Sequence, residues 1–359
     1  MTGTEPQDPF DVDALGAWLA AAVGAERVVV RLEGRPAGGF SAETLLLDAD
    51  VTVDGSATHR RFVLRKETPE PAVYPQQSDV PMPEIEIQYR IMDALRRRTS
   101  VPVADMLGYT TDPTVCGAPF FAMSFVDGVV PIESPPYTVE GFFTDATPAQ
   151  RTALVSSGLA QLAALHSVDR ADLDLDWLVP AGVAPGSRHL VDLWRRFGER
   201  ELAGRSHPLL EHAWAIVDAT LPDDERLVLC WGDPRPGNII WRDFAPACLT
   251  DFEAACIGPP EFDLAWWLMF DRTMHEGAGV DRRPGDPSRD EQRRIYYEHA
   301  GRPLADTTAH ELFAAARYCV IVVRVMNRLD QRGLLPADSR VWLENPASEC
   351  LASLLGEIA

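Results

Sequence analysis

The chain has 359 residues, 46% of them hydrophobic and 24% charged, with a formal net charge of −21. That length sets a soft expectation of about two domains, and the composition is that of a globular protein, not a disordered or fibrous one. There is no basic patch to suit a nucleic acid, no apolar run near the roughly 20 residues of a membrane helix, and no basic or apolar secretory region in the polar, acidic residues 1–10.

An acidic chain attracts cations, so a polycationic substrate is conceivable, although solubility alone accounts for such a charge. Cys116, Cys230, Cys248, Cys256, Cys319 and Cys350 form no C-x-x-C pair and no zinc spacing. This pattern implies free thiols in a reducing, cytoplasmic setting.

In chain order, residues 11–23 predict a short amphipathic helix, with Leu15, Trp18, Leu19 and Val23 at helical spacing. Apolar stretches at 28–32, 43–53 and 61–66 then predict strands, separated by turn-rich segments at 34–39 and 54–57. Residues 69–83 hold five prolines and predict a loop. A helix comes next over 84–98, with Ile87, Ile91 and Leu95 on one stripe, then strands at 106–110 and 120–126. After Asp127 the texture turns helical. Helices are expected at 149–167, 262–270, 289–299, 311–332 and 344–357. Short apolar runs at 227–231, 239–241 and 248–250 interrupt them. A strand-rich first third and a helical remainder point to an α+β protein of two lobes, residues 1–126 and 127–359.

The chemistry concentrates at 227–263, where Asp233, Asn238 and Asp251 stand at turns between short apolar runs. Each alone is an ordinary turn former. Together they match what phosphoryl transfer requires: a carboxylate to orient a hydroxyl, and oxygen ligands to hold Mg²⁺.

The segment W-G-D-x-x-x-x-N, residues 231–238, resembles the H-G-D-x-x-x-x-N catalytic loop of aminoglycoside phosphotransferases and choline kinases. T-D-F-E at 250–253 and G-P-P-E-F-D-L-A at 258–265 resemble that family's metal-binding and downstream motifs. The closest texture is that of the phosphotransferase domains attached to some acyl-CoA dehydrogenases. The resemblance implies a bilobal protein-kinase-like fold, with a small antiparallel sheet of five strands and one helix over about 25–125 and a larger, mainly helical second lobe. It implies ATP and Mg²⁺ as cofactors, Asp233 as catalytic base, Asn238 and Asp251 as metal ligands, and Asp263 as a buried brace of the loop. His166, in L-A-A-L-H-S-V-D, is expected to be structural.

The resemblance also covers the first lobe. Gly39 and Ser41 lie in G-G-F-S-A-E-T, similar to the family's nucleotide loop, where glycines let backbone N–H groups approach phosphate. Ser124 and Val126, in M-S-F-V-D-G, fall where that family meets adenine through its backbone. Arg65 and Lys66 must point to opposite faces of a strand. Alignment with the family's Y-L-K favours Arg65 as phosphate anchor, whereas Lys66, the single lysine among 33 basic residues, is the alternative. The helix glutamate that should pair with the anchor falls at Gln88, with Glu84 one turn earlier on the same face and Glu86 turned elsewhere.

Two departures stand out: Trp231 replaces the motif histidine, and Gln88 replaces the glutamate. They raise the alternative of a nucleotide-binding pseudokinase. Arg235, two residues after Asp233, is either a phosphate-binding fork or a plain surface arginine. Only 11 residues separate Asp251 from Asp263, which leaves no room for a peptide-binding activation segment and favours a small-molecule hydroxyl over a protein as acceptor. Aminoglycosides, choline-like amines, hydroxy acids and hydroxyacyl-CoA thioesters are comparable candidates.

Overall fold

Period-two alternation builds the long strands at the start of the chain, and helical stripes build most of the remainder. The computed structural model describes residues 10–36, 42–77, 81–222, 226–336 and 338–358. Two compact units emerge: Met1–Ala72 with Met82–Asp127, and Val73–Pro81 with Gly128–Ala359. Residues 73–77 and 81, which the sequence reading puts in the first lobe, therefore pack with the second.

The first unit runs α1 (Val12–Val23), β1 (Arg27–Gly34), β2 (Ala42–Val53), β3 (Ser56–Glu67), α2 (Glu84–Arg98), β4 (Met106–Thr110), α3 (Pro113–Cys116) and β5 (Phe120–Ser124). Its strands form the expected antiparallel sheet of five, in the order β1-β2-β3-β5-β4. Asp54 and Gly55 make the two-residue β2–β3 turn with φ of 48° and 73°, the left-handed pair that matches strand twist.

The two faces of this sheet have different partners. Leu45, Leu47, Phe62, Leu64, Phe120 and Ala122 bury one face in a common core with Leu15 and Leu19 of α1. Trp18 meets Phe120 edge-on there, with ring centroids 4.8 Å apart. On the other face Phe121 lies 6.2 Å from Tyr89 of α2. The four-residue α3, not expected from the sequence, is started by Asp112 accepting the Thr114 N–H.

The second unit contains α4 (Phe142–Asp145), α5 (Pro148–Ser167), α6 (Ser187–Leu202), α7 (Pro208–Thr220), β6 (Val228–Cys230), β7 (Ile239–Arg242), β8 (Ala245–Leu249), β9 (Cys256–Gly258), α8 (Pro260–His275), α9 (Arg289–Ala300), α10 (Thr308–Gln331) and α11 (Pro346–Ile358). Two small antiparallel pairs, β6–β9 and β7–β8, carry the motif residues between them. Helix α8 is buried along nearly its whole length, which explains why its middle, residues 264–270, is apolar all round and not striped. The sequence reading does not single out α6, α7 or β9. Helix α6 has a legible stripe of Leu190, Trp194 and Phe197, but β9, three residues long, exists only through its pairing with β6. All six cysteines are free and buried. No described helix is long and apolar enough to cross a membrane.

Candidate active site

The loop after β6 turns on Gly232. Its φ is +88°, and a Cβ there would fall 2.0 Å from the Ala254 carbonyl oxygen, so only glycine fits. Asp263, in the first turn of α8 and fully buried, accepts the backbone N–H groups of Trp231 at 2.6 Å and Gly232 at 2.9 Å. His166 of α5 bridges Asp263 at 3.0 Å and the Tyr296 hydroxyl at 2.7 Å. From α10, Arg317 donates to the Gly232 carbonyl at 2.8 Å. Its guanidinium stacks 3.7 Å over Phe262 and 4.5 Å over Trp266, and burial draws its pKa down to about 10. It is still charged at neutral pH. The turn is thus clamped from three helices.

Trp231 stacks on Phe252 at 5.5 Å and donates its indole N–H to the Thr250 carbonyl at 2.8 Å. Thr250 in turn donates its N–H and its hydroxyl to the Asn238 carbonyl, at 3.0 and 2.9 Å. The departure from the motif histidine therefore leaves a side chain that ties the 231–238 loop to the segment entering Asp251.

Asp233 is 3% exposed, and its carboxylate is surrounded by donors. The Trp266 indole N–H reaches Oδ1 at 2.6 Å. On Oδ2 converge the Asn238 amide at 2.9 Å, the Arg235 Nε at 3.1 Å and the Tyr74 hydroxyl at 3.3 Å. Arg235 is not a surface residue. It is held between Asp233 and Glu133 and stacks 5.0 Å over Phe270. Burial disfavours its charge, yet Asp233 and Glu133 together raise its pKa above that of a free guanidinium.

Negative charge exceeds positive here, with Asp233, Glu133, Asp251 and Glu253 set against Arg235 and Arg317. Burial pushes the Glu133 carboxyl up despite Arg235, and Asp233 and Asp251 push it further. Burial, Asp233 and Glu253 likewise hold the Tyr74 phenol well above its ordinary value. Such an excess suits a divalent cation. The donors suit Mg²⁺ as well. Asn238 commits its Nδ2 to the Asp233 carbonyl and carboxylate, both at 2.9 Å, which turns its amide oxygen away from Asp233. Asp251 sits just past Thr250 with φ +62°, a left-handed conformation that costs a non-glycine residue about 1–3 kcal/mol and concentrates at functional sites. Amide and carboxylate oxygens are the ligands a hard cation takes.

In the first unit, strand register separates the two anchor candidates. Arg65 pairs across the sheet with Thr44 and Phe121, on the α2 face, and donates to the Thr44 hydroxyl at 2.9 Å. Lys66 pairs with Glu43 and Phe120, on the α1 face, and its ammonium lies 2.8 Å from the Glu43 carboxylate. Gln88 and Glu84 are both buried on α2, whereas Glu86 accepts from Tyr109 at 3.3 Å. The Ser124 N–H is already donated to the Asp105 carbonyl at 2.9 Å. Val126, two residues on, is half-buried. Gly39 and Ser41 lie outside the described residues.

Sequence reasoning missed four participants: Tyr74, Glu133, Trp266 and Arg317. Trp266 was within reach, since it lies three residues after Asp263 and so shares its helix face. No local pattern marks the other three.

A sequence model described as the Phosphotransferase enzyme family matches residues 35–309. Acyl-CoA dehydrogenase family member 11 of Pongo abelii is 27% identical over 304 residues, which covers 81% of this chain and 36% of that protein. The chain thus spans about a third of the length of such relatives. Among solved structures, a Ralstonia eutropha protein provisionally assigned as an aminoglycoside phosphotransferase superposes with a TM-score of 0.71 at 23% identity, over 97% of this chain and 99% of that one. The macrolide 2′-phosphotransferase MphH of Brachybacterium faecium gives 0.54 at 19% identity, over 96% and 98%. At these identities the two structures carry the fold alone.

Proposed function

The chain belongs to the Phosphotransferase enzyme family, and from that premise we propose that it transfers the γ-phosphate of ATP to a hydroxyl of a small molecule, with Mg²⁺. The observation that carries this reading is the clamped loop: Asp233, Asn238 and the Thr250–Asp251 segment are hydrogen-bonded into one array with surplus negative charge.

Asp233 orients the acceptor hydroxyl and takes its proton late in transfer. Bound Mg²⁺ neutralises phosphate charge, and the Asn238 amide oxygen and the Asp251 carboxylate are the residues to hold it. Arg235 steadies Asp233 and Glu133 and keeps a guanidinium beside the transferred phosphoryl group. In the first unit Arg65, with Gln88 and Glu84 on the helix facing it, is the better anchor for the nucleotide phosphates, since Lys66 faces α1 and is matched to Glu43. Gly39 and Ser41 complete the phosphate contacts through backbone and hydroxyl. Adenine meets the backbone around Ser124 and Val126, where the engaged Ser124 N–H leaves Val126 the better donor. The pseudokinase alternative then rests on the Gln88 departure, because Trp231 braces the loop.

The relatives are acyl-CoA dehydrogenase family members, so hydroxylated acyl compounds head the acceptor screen, ahead of aminoglycosides and choline-like amines. The test is ADP release from Mg·ATP across that screen, in wild type and Asp233→Asn. General-base help is worth about 10²–10⁴-fold. The variant should lose about that much turnover and keep its Mg·ATP affinity. Asp251→Ala should lose the affinity as well. A folded Asp233→Asn protein working at the wild-type rate would reduce Asp233 to a turn former.

A further inference from the structure

Oδ2 of Asp233 has two lone pairs and three donors: Asn238 at 2.9 Å, Arg235 at 3.1 Å and Tyr74 at 3.3 Å. Oδ1 takes the Trp266 indole at 2.6 Å and lies 3.0 Å from the Arg235 Nε. An acceptor hydroxyl can reach this carboxylate only if a donor leaves. Asn238 also donates to the Asp233 backbone carbonyl, Arg235 is also held by Glu133, and Trp266 is fixed in the buried helix α8. Tyr74 makes the longest of these bonds. It comes from the irregular segment 71–77, and it alone among the donors is a hydroxyl, the same group an acceptor presents.

We propose that the Tyr74 hydroxyl holds the acceptor's place on Asp233 and withdraws when an acceptor hydroxyl arrives. This inference rests on the kinase reading above. Tyr74 thereby sets part of the cost of acceptor binding and limits wasteful transfer to water. In that side reaction the water oxygen forms a bond to the γ-phosphorus. The bond from that phosphorus to the bridging oxygen breaks, ADP leaves with the electron pair, and the water proton passes to Asp233 Oδ2. While Tyr74 occupies Oδ2, water has no seat there.

The probe is Mg·ATP with water as sole acceptor, given to wild type, Tyr74→Phe and the double variant Tyr74→Phe/Asp233→Asn. Calorimetric titration of Mg·ATP and mass spectrometry of the protein accompany it. Phenylalanine keeps the ring against Trp194, whose centroid is 6.3 Å away, and removes only the hydroxyl. One hydrogen bond of ordinary net strength predicts that Tyr74→Phe releases ADP about 2- to 10-fold faster than wild type. The double variant should lose this gain, and Mg·ATP affinity should be unchanged in Tyr74→Phe. An equal or slower rate in Tyr74→Phe makes Tyr74 a brace of Asp233 and overturns the proposal. So does a phosphoryl group found on Tyr74, which would make it an acceptor and not a placeholder. So does silence of both proteins when Mg·ATP binds. If wild type does not bind Mg·ATP at all, the kinase reading itself falls, and the proposal with it.

Discussion

Helix α8 carries a charged cluster at each end, and the two are finished differently. In its early turns Asp263 and Trp266 hold the loop of Asp233, where carboxylates outnumber guanidinium groups. Near its end, Asp271 and His275 join Asp286, and their ligand-type atoms all lie within 4.8 Å of one another, spacing that would hold a metal ion. This second cluster is closed by protein. Arg282 pairs with Asp271 and Asp286, and the Gln292 amide donates to Asp271 at 2.8 Å. His275 faces the Asp271 carbonyl oxygen at 2.9 Å and the Asp286 carboxylate at 2.7 Å, acceptors on both sides, which favours the protonated ring. The two carboxylates thus meet Arg282, His275 and, at 3.9 Å from Asp271, Arg289. A cluster of acids becomes a ligand site when its charge is left open, and a structural joint when the chain supplies the counter-charge itself.

The largest effect is expected at the open end. Gly232→Ala puts a Cβ 2.0 Å from the Ala254 carbonyl oxygen on a backbone with φ +88°. It should cost at least about 3 kcal/mol, read as a fall in melting temperature, and abolish ADP release. A stable, active Gly232→Ala protein would show that the loop is not clamped as described.

At the closed end, His275→Ala leaves Asp286 buried with one partner fewer and should cost about 3 kcal/mol in chemical denaturation. Burial disfavours the His275 charge, but Asp286 and Asp271 outweigh it and raise the pKa above 6.5. The folded state therefore binds this proton more tightly than the unfolded one. The stability it brings is complete below about pH 6.5 and disappears as pH rises through the raised value. Wild type should lose stability over that interval relative to His275→Ala. Parallel curves would mean that the cluster does not bind the proton, and the contrast between the two ends would fail.

Trp231→Phe keeps the stack on Phe252 and leaves the Thr250 carbonyl without its donor. The expected cost is about 1–3 kcal/mol, with a larger proportional loss in Mg·ATP affinity than in stability, because Thr250 precedes Asp251. Equal affinity in the two proteins would remove Trp231 from metal positioning.

The smallest effect belongs to the first unit. Lys66→Met breaks a partly exposed pair with Glu43 and should cost under about 1 kcal/mol. Nucleotide affinity should stay intact, whereas Arg65→Met should weaken it clearly. The reverse result would move the anchor to the α1 face.

Much of this was legible in the sequence because it is local. Asp and Gly at 54–55 demand a tight turn, Pro148 and the Thr147–Gln150 box start α5, and alternation fixes Arg65 and Lys66 on opposite faces whatever the fold. The spacing of Asp233, Asn238 and Asp251 is likewise a property of the chain.

Tertiary structure alone decided what surrounds them. Tyr74 reaches Asp233 across 159 residues of chain, and Glu133 reaches Arg235 across 102, separations that no window of sequence spans. Strand β9 needs β6, Arg282 looks like any surface arginine until it lies between Asp271 and Asp286, and Trp231 reads as a lost histidine until its N–H meets Thr250. Turn chemistry and face alternation are set by neighbours along the backbone. Satisfaction of buried charge is set by whichever groups the fold brings within hydrogen-bond reach.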